Sequence, residues 1–279
     1  MGKKLVALDL DGTLFDSRKE VTRDTKEKLE LFIKNGNEVV IATGRSFASI
    51  PENIKEIQGI RYAICSNGAS LYNYETGECL YLDSMDKNRA TLFLKDVLEY
   101  PVMVEAFMGR ISVLDNKNCG IIEFMALPKS AIEFFKKVRI TVDRLDEYIF
   151  TVEEGIQKIA VNFKPMEDGS YYCREKIVEV AKKYPDFVAV SGGLANLEVT
   201  NITATKGNAL LRLANLLNID VTETYAFGDS ENDKEMIIKA NTGVAMGNAT
   251  DEIKGIANFI TKSNNEDGIA FALIELGLI

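Results

Sequence analysis

The chain alternates short apolar runs with amphipathic stretches. Residues 4–8 read as an apolar strand that stops at Asp9. Residues 25–35 place Leu29, Phe32 and Ile33 at helical spacing and end at Gly36, a helix stop. Residues 38–42 and 62–65 are again apolar strands, closed by Thr43-Gly44-Arg45 and by Ser66-Asn67-Gly68-Ala69. Strand–helix–strand repetition of this kind predicts a parallel sheet with crossover helices.

The rhythm changes near Asp83. The pattern predicts a helix over 86–99, strands over 102–107 and 110–114 around Met108-Gly109, and a helix over 131–138. A half-exposed, alternating strand follows over 157–164, then a helix over 171–184 and strands over 187–190 and 196–199 with Gly192-Gly193 between them. Strand pairs with helices segregated between them point to an α+β insert. The earlier rhythm returns with a helix over 206–217, whose Leu210, Leu213 and Leu217 share a face. Strands over 224–227, 242–246 and 258–261 and a helix over 268–276 complete it. The expected fold class is α/β: a Rossmann-like, doubly wound parallel sheet core from 1–83 and 200–279, interrupted by an inserted α+β domain over 84–199.

Composition narrows the chemistry. With 279 residues and 46% apolar content the chain is globular, with room for a sizeable core. No stretch approaches a membrane span, and Asp9 breaks the first apolar run before it resembles a signal peptide, so a cytoplasmic protein is expected. A net charge of −9 disfavours a nucleic-acid surface. Cys65, Cys79, Cys119 and Cys173 are widely spaced and read as reduced thiols. Histidine is absent, which excludes Ser-His-Asp triads, Cys-His pairs and histidine metal sites. Acid–base work at neutral pH falls to Asp, Glu, Lys, Tyr, Cys or water.

The first strand ends in Asp9-Leu10-Asp11-Gly12-Thr13-Leu14. With a period of two, Asp9 and Asp11 are expected to point the same way, and two close carboxylates invite a cation. That suits a nucleophile, a proton donor and a metal site in one turn. The competing reading is a strand followed by a common Asp-Gly turn, and the apolar strand before it with Gly-Thr-Leu after it favours chemistry. A parallel sheet brings its strand C-termini to one edge, so the loops after the strands converge. Thr43-Gly44-Arg45-Ser46 fits an anion cradle or an ordinary helix cap. Lys206 opens a helix against its dipole, which hints at an anion partner, although a lone lysine is usually a solvated one. In Gly228-Asp229-Ser230-Glu231-Asn232-Asp233, Asp229 stands at a strand end, and Asp229 and Asp233 are four apart. Ser230 can cap a helix with Asp233 at its third position, which would aim Asp229 and Asn232 into the crevice.

These segments stand in the order of the four motifs of the haloacid dehalogenase superfamily, which the chain resembles over essentially its whole length. Ile64-Cys65-Ser66-Asn67-Gly68-Ala69, Gly243-Val244-Ala245-Met246-Gly247-Asn248-Ala249 and Thr261-Lys262-Ser263-Asn264-Asn265-Glu266-Asp267-Gly268 resemble its Cof-type sugar-phosphatase branch. The insert is similar to that branch's α/β (type C2) cap. The resemblance implies a phosphatase in which Asp9 is the nucleophile and Asp11 the general acid and then the general base. It implies Mg²⁺ held by Asp9, the backbone carbonyl of Asp11 and Asp229, with Asp233 helping directly or through water. It implies phosphate oxygens held by the Leu10 and Gly44 amides, Thr43, Lys206 and Asn232. Thr205 before the lysine and Asn201, where Ser and Pro are familiar, depart from the pattern without touching the chemistry.

Elementary chemistry agrees with these roles. Phosphoryl transfer needs charge neutralisation and positioning more than covalent assistance. All-oxygen donors favour Mg²⁺, and Asp11, with its side chain off the metal, is expected to stay protonated for the leaving alcohol. The expected activity is hydrolysis of small phosphorylated metabolites, sugar phosphates or related monoesters, through an aspartyl-phosphate. A phosphotransferase or mutase would use the same intermediate, and a non-catalytic sensor would be expected to lack Asp9 or Asp11. The partner is a small-molecule phosphate ester, with no nucleic acid and no membrane. Neither the substrate's identity nor the oligomeric state is written in these motifs.

Overall fold

A computed structural model describes residues 2–125, 128–191 and 195–279. Gly192 and Gly193, read above as a turn, lie outside the described residues. The chain divides into two compact units, one of residues 1–45, 50–81 and 205–279 and the other of residues 46–49 and 82–204.

The first unit carries an eight-stranded sheet. Its order is Phe259–Ile260, Thr242–Ala245, Thr224–Gly228, Leu5–Leu8, Glu38–Ala42, Tyr62–Cys65, Ser70–Asn73, Cys79–Leu82. The strands from Phe259–Ile260 through Tyr62–Cys65 pair in parallel. Leu5–Leu8 lies between two neighbours and is buried throughout, as its unbroken apolar run requires. Helix Lys206–Leu216 buries Ala209, Leu210, Leu213 and Ala214 against Leu5, Ala7, Val40, Ala42 and Ala226. Helices Arg23–Lys34 and Gly268–Glu275 pack on each other.

The sheet is mixed at one end rather than parallel throughout. Ser70–Asn73 runs antiparallel to Tyr62–Cys65, and Cys79–Leu82 forms the edge. Both strands have four residues. The edge one leaves Cys79, Leu80 and Leu82 exposed, so no buried periodicity marks it.

The second unit has a six-stranded sheet in the order Phe187–Val190, Asn196–Asn201, Ile156–Asn162, Met103–Met108, Ile111–Asp115, Arg139–Val142. Its pairs are antiparallel except the last, which is parallel. Phe93, Tyr184 and Phe187 form a ring cluster with centroids 5.4 to 6.3 Å apart. Asp83 accepts from Asn201 Nδ2 at 2.6 Å and Thr203 Oγ1 at 2.7 Å, which ties the outgoing and returning passages of the chain.

Two expectations change here. The helix expected over 171–184 is Arg174–Ala181, because Tyr171 bridges Pro165 and Cys173 adopts φ +62°. The strand expected to be half-exposed, Ile156–Asn162, is buried at every position. Gln157 and Lys158 are buried with partners instead of facing water: Gln157 Nε2 donates to the Gly109 carbonyl at 2.6 Å. Lys158 donates to Glu198 at 2.6 Å and lies 4.2 Å from the centre of the Phe107 ring.

Cys65, Cys79, Cys119 and Cys173 form no disulfide among the described residues. No helix among the described residues is long and apolar enough to cross a membrane.

The buried pair yields a stability prediction. Lys158→Ala leaves Glu198 desolvated and should cost about 3–5 kcal/mol, whereas Lys158→Met with Glu198→Leu should recover most of that. Denaturation midpoints of both variants check it; equal losses in the two would contradict it.

Candidate active site

The strand Leu5–Leu8 delivers Asp9 to the C-terminal edge of the sheet, where Asp9 N–H still donates to Phe227 O at 3.1 Å. There the chain leaves the strand, as Leu14 N–H and Phe15 N–H turn back onto the carbonyls of Asp9 and Leu10 at 3.1 and 2.9 Å. Asp9 is 5% exposed and Lys206 is fully buried. Lys206 Nζ donates to Asp9 Oδ1 at 2.7 Å and to Asp233 Oδ1 at 2.6 Å. The lysine is the first residue of helix Lys206–Leu216, which Thr205 caps by accepting from Asn208 N–H at 3.1 Å. The anion partners suggested by its place at a helix start are therefore two carboxylates of its own chain.

Asp233 has a second task. Its Oδ2 accepts from Asp229 N–H at 3.0 Å and Ser230 N–H at 3.2 Å, completing a capping box with Ser230. Capping and the alignment of Asp229 hold at once. Asp229 Oδ1 accepts from Thr13 Oγ1 at 3.0 Å. Asp9, Asp229 and Asp233 each offer a carboxylate oxygen, all within 4.8 Å of one another.

Burial, with Asp233 and Asp229 beside it, raises Asp9 well above the usual carboxylate range despite Lys206. Burial and Asp233 also push Asp229 up, to about 6. For Lys206 burial works against the charge, but Asp233 and Asp9 outweigh it and hold the ammonium protonated. Three carboxylates around one ammonium leave the cluster short of positive charge. Its donors are all oxygen, the set that suits a hard divalent cation.

Asp11 departs from expectation. It lies beyond the strand end, so the period of two does not govern it. Its Oδ2 accepts from Arg45 Nε at 2.9 Å, and its Oδ1 from Arg45 Nη2 at 2.9 Å and Lys19 Nζ at 2.8 Å. Burial alone would raise its pKa, but Arg45 and Lys19 outweigh burial and lower it to about 2. In this arrangement Asp11 is a carboxylate, not the protonated acid expected above.

The remaining candidates stand in the loops that follow the strands. Thr43 is buried, its Oγ1 accepts from Arg45 N–H at 3.2 Å, and its carbonyl accepts from Asn67 N–H at 3.1 Å. Gly44 lies between Thr43 and Arg45 in that loop, and Leu10 follows Asp9 directly. Asn232 Nδ2 donates to Asn67 Oδ1 at 3.2 Å, and its Oδ1 accepts from Ser230 Oγ at 2.9 Å. Asn67, Thr13, Arg45 and Lys19 received no role from the sequence. Asn67 and Arg45 stand in polar loops at strand ends. Lys19 sits in a polar stretch with nothing to mark it.

A family model described as haloacid dehalogenase-like hydrolase matches residues 6–273. The chain belongs to the haloacid dehalogenase-like hydrolases. Within that family it is similar to the phosphatase YwpJ of Bacillus subtilis (strain 168), with 32% identity over 98% of this chain and 99% of that protein. A solved haloacid dehalogenase-like hydrolase from B. subtilis superposes with a TM-score of 0.82 at 29% identity, over 98% of this chain and 99% of that one. A solved subclass IIB sugar phosphatase of the family gives 0.80 at 25% identity, over 99% and 100%. The chain is a hydrolase of the phosphatase type, and its acidic cluster is the place where a haloacid dehalogenase-like hydrolase can hold a metal ion.

The raised pKa of Asp229 fixes the sign of a pH effect. A folded-state value of about 6 against an ordinary 3.8 means that the folded protein binds this proton more readily than the unfolded chain does. That contribution to stability is full below about pH 4 and is lost as pH rises through about 6. In metal-stripped protein, the melting temperature of the wild type relative to Asp229→Asn should fall across this window. Adding a divalent cation at neutral pH should raise the wild type and not the variant. A pH-independent difference between the two would contradict the assignment.

Proposed function

We propose that this protein is a Mg²⁺-dependent phosphatase of small phosphorylated metabolites, sugar phosphates and related monoesters, that works through an aspartyl-phosphate on Asp9. The observation that carries the reading is the Asp9 carboxylate, fixed at a strand end by a buried ammonium 2.7 Å away and flanked by two further carboxylates.

Asp9, Asp229, Asp233 and the backbone carbonyl of Asp11 would hold the ion. When bound, Mg²⁺ supplies the positive charge that keeps Asp9 ionised near an anionic phosphoryl group. Asp9 attacks phosphorus as the bond to the leaving oxygen breaks, and that oxygen takes a proton from Asp11. Asp11, now a carboxylate, takes a proton from water as that water attacks phosphorus. Phosphate leaves and Asp9 is regenerated. The contacts of Asp11 with Arg45 and Lys19 match its base role, and the acid role needs release from them. Lys206 uses two of its three hydrogens on Asp9 and Asp233, which leaves one for a phosphate oxygen. Thr43, the Leu10 and Gly44 amides and Asn232 would hold the other oxygens.

Asp9→Asn is nearly isosteric and should abolish phosphate release while leaving the protein folded, as its circular dichroism spectrum can report. Asp11→Asn should lose about 10²–10⁴-fold on alkyl phosphates and less on nitrophenyl phosphate, whose leaving group needs little protonation. A phosphate-release assay with Mg²⁺ and with chelator checks both. Turnover by Asp9→Asn, or full activity in chelator, would overturn the reading.

Substrate choice is assigned to the insert, because the phosphoryl group is common to every substrate and discrimination must come from groups that read the leaving alcohol. Replacing residues 84–199 by the insert of a relative with another substrate should reorder relative kcat/KM across a panel of phosphate esters. Dependence on Asp9 and Mg²⁺ should remain. A folded chimera that keeps the original ranking would place specificity in the core loops.

A further inference from the structure

The second unit contains an open cleft of about 620 Å³, lined by Lys117, Asn118, Phe124, Lys164, Met166 and Tyr172 among others. That volume lies within the range of small-molecule sites, about 300–1,000 Å³. None of its lining residues belongs to the phosphoryl site described above. We propose that this cleft binds a small aromatic anion: a planar ring system carrying a carboxylate, sulfonate or phosphate group.

The walls favour the ring. Phe124, Met166 and Tyr172 are 54%, 43% and 46% exposed, so three large apolar side chains meet in one cleft uncovered. Singly exposed apolar residues are ordinary, whereas a cluster around a concavity marks a binding surface. Methionine and aromatic rings also suit a planar guest.

The polar groups favour the anion. Among the described residues, Asn118 Nδ2 is buried without a hydrogen-bond partner, an amide donor that lacks an acceptor. Asn118 interrupts the run Asn116–Phe124 with φ −135°. Lys164 Nζ lies 4.4 Å from the centre of the Phe124 ring, and Lys117 Nζ donates to the Leu98 carbonyl. Neither lysine has a carboxylate partner among the described residues, whereas Lys136, Lys182 and Lys234 on the same acidic chain each pair with a glutamate. Two ammonium groups and an amide donor beside aromatic walls are complementary to a ring with a negative group.

Fluorescence titration of the full-length protein with anilinonaphthalene sulfonate, and with the uncharged N-phenylnaphthylamine, tests this. The sulfonate should bind saturably, with one dye per chain. The double variant Lys117→Gln, Lys164→Gln should weaken the sulfonate about tenfold or more and leave the neutral dye within about twofold. Gly120 also lines the cleft, and a Cβ there would meet no atom within 4 Å, so Gly120→Phe can fill the space and should block both dyes. An unchanged melting temperature in these variants reports that they are folded. Asp9→Asn should bind the sulfonate as the wild type does. The proposal is overturned if the lysine variant binds the sulfonate normally, if it loses both dyes equally, if a folded Gly120→Phe binds as the wild type does, or if Asp9→Asn loses the dye.

Discussion

The first unit is organised around the buried ammonium of Lys206. A desolvated lysine is tolerated only when carboxylates compensate it, and here Asp9 and Asp233 do so at 2.7 and 2.6 Å. The converse also holds. Two buried carboxylates with a third beside them face one ammonium, so the folded cluster is short of positive charge and suits another cation. The same pairing fixes the Asp9 carboxylate at the strand end, as the proposed attack on phosphorus requires, and holds the Asp233 side chain that caps the next helix. Structure and chemistry thus rest on one group, and losing Lys206 would disturb both.

The backbone around the lysine is shaped to let this happen. Gly68 adopts φ +103°, and a Cβ there would lie 2.2 Å from the Thr205 carbonyl, so only glycine lets this loop meet the start of the Lys206 helix. Gly12, at φ +91°, would place a Cβ 2.5 Å from Asp229 Oδ2. Side-chain amides secure the same turn from the other end of the chain. Asn248 Nδ2 donates to the Gly12 carbonyl at 2.8 Å and Asn264 Nδ2 to the Phe15 carbonyl at 2.7 Å. The late segments that resemble the Cof-type branch therefore hold the turn after Asp9 through its backbone carbonyls.

Much of this was legible in the sequence, for identifiable reasons. Leu5–Leu8 and Glu38–Ala42 are buried on both faces and, Glu38 aside, read as unbroken apolar runs, and the polar residues that close them mark the site edge. Ser70–Asn73 and Cys79–Leu82 were not legible, because one follows a glycine turn directly and the other is an exposed edge. Burial of Ile156–Asn162 was hidden because Lys158 and Glu198 look like surface residues until each is seen to compensate the other. The environment of Asp11 was misjudged for a similar reason. Spacing from Asp9 is a local property, whereas the contacts with Lys19 and Arg45 depend on how two loops fold together.

The central claim is that Asp9 takes the phosphoryl group. Acid-quenched single turnover followed by borohydride reduction tests it directly, since an aspartyl-phosphate is reduced to homoserine while a free carboxylate is not. Peptide mass analysis should find homoserine at position 9 and unchanged aspartate at 11, 229 and 233. Unmodified Asp9 under conditions that release phosphate, or homoserine at one of the other positions, would contradict it.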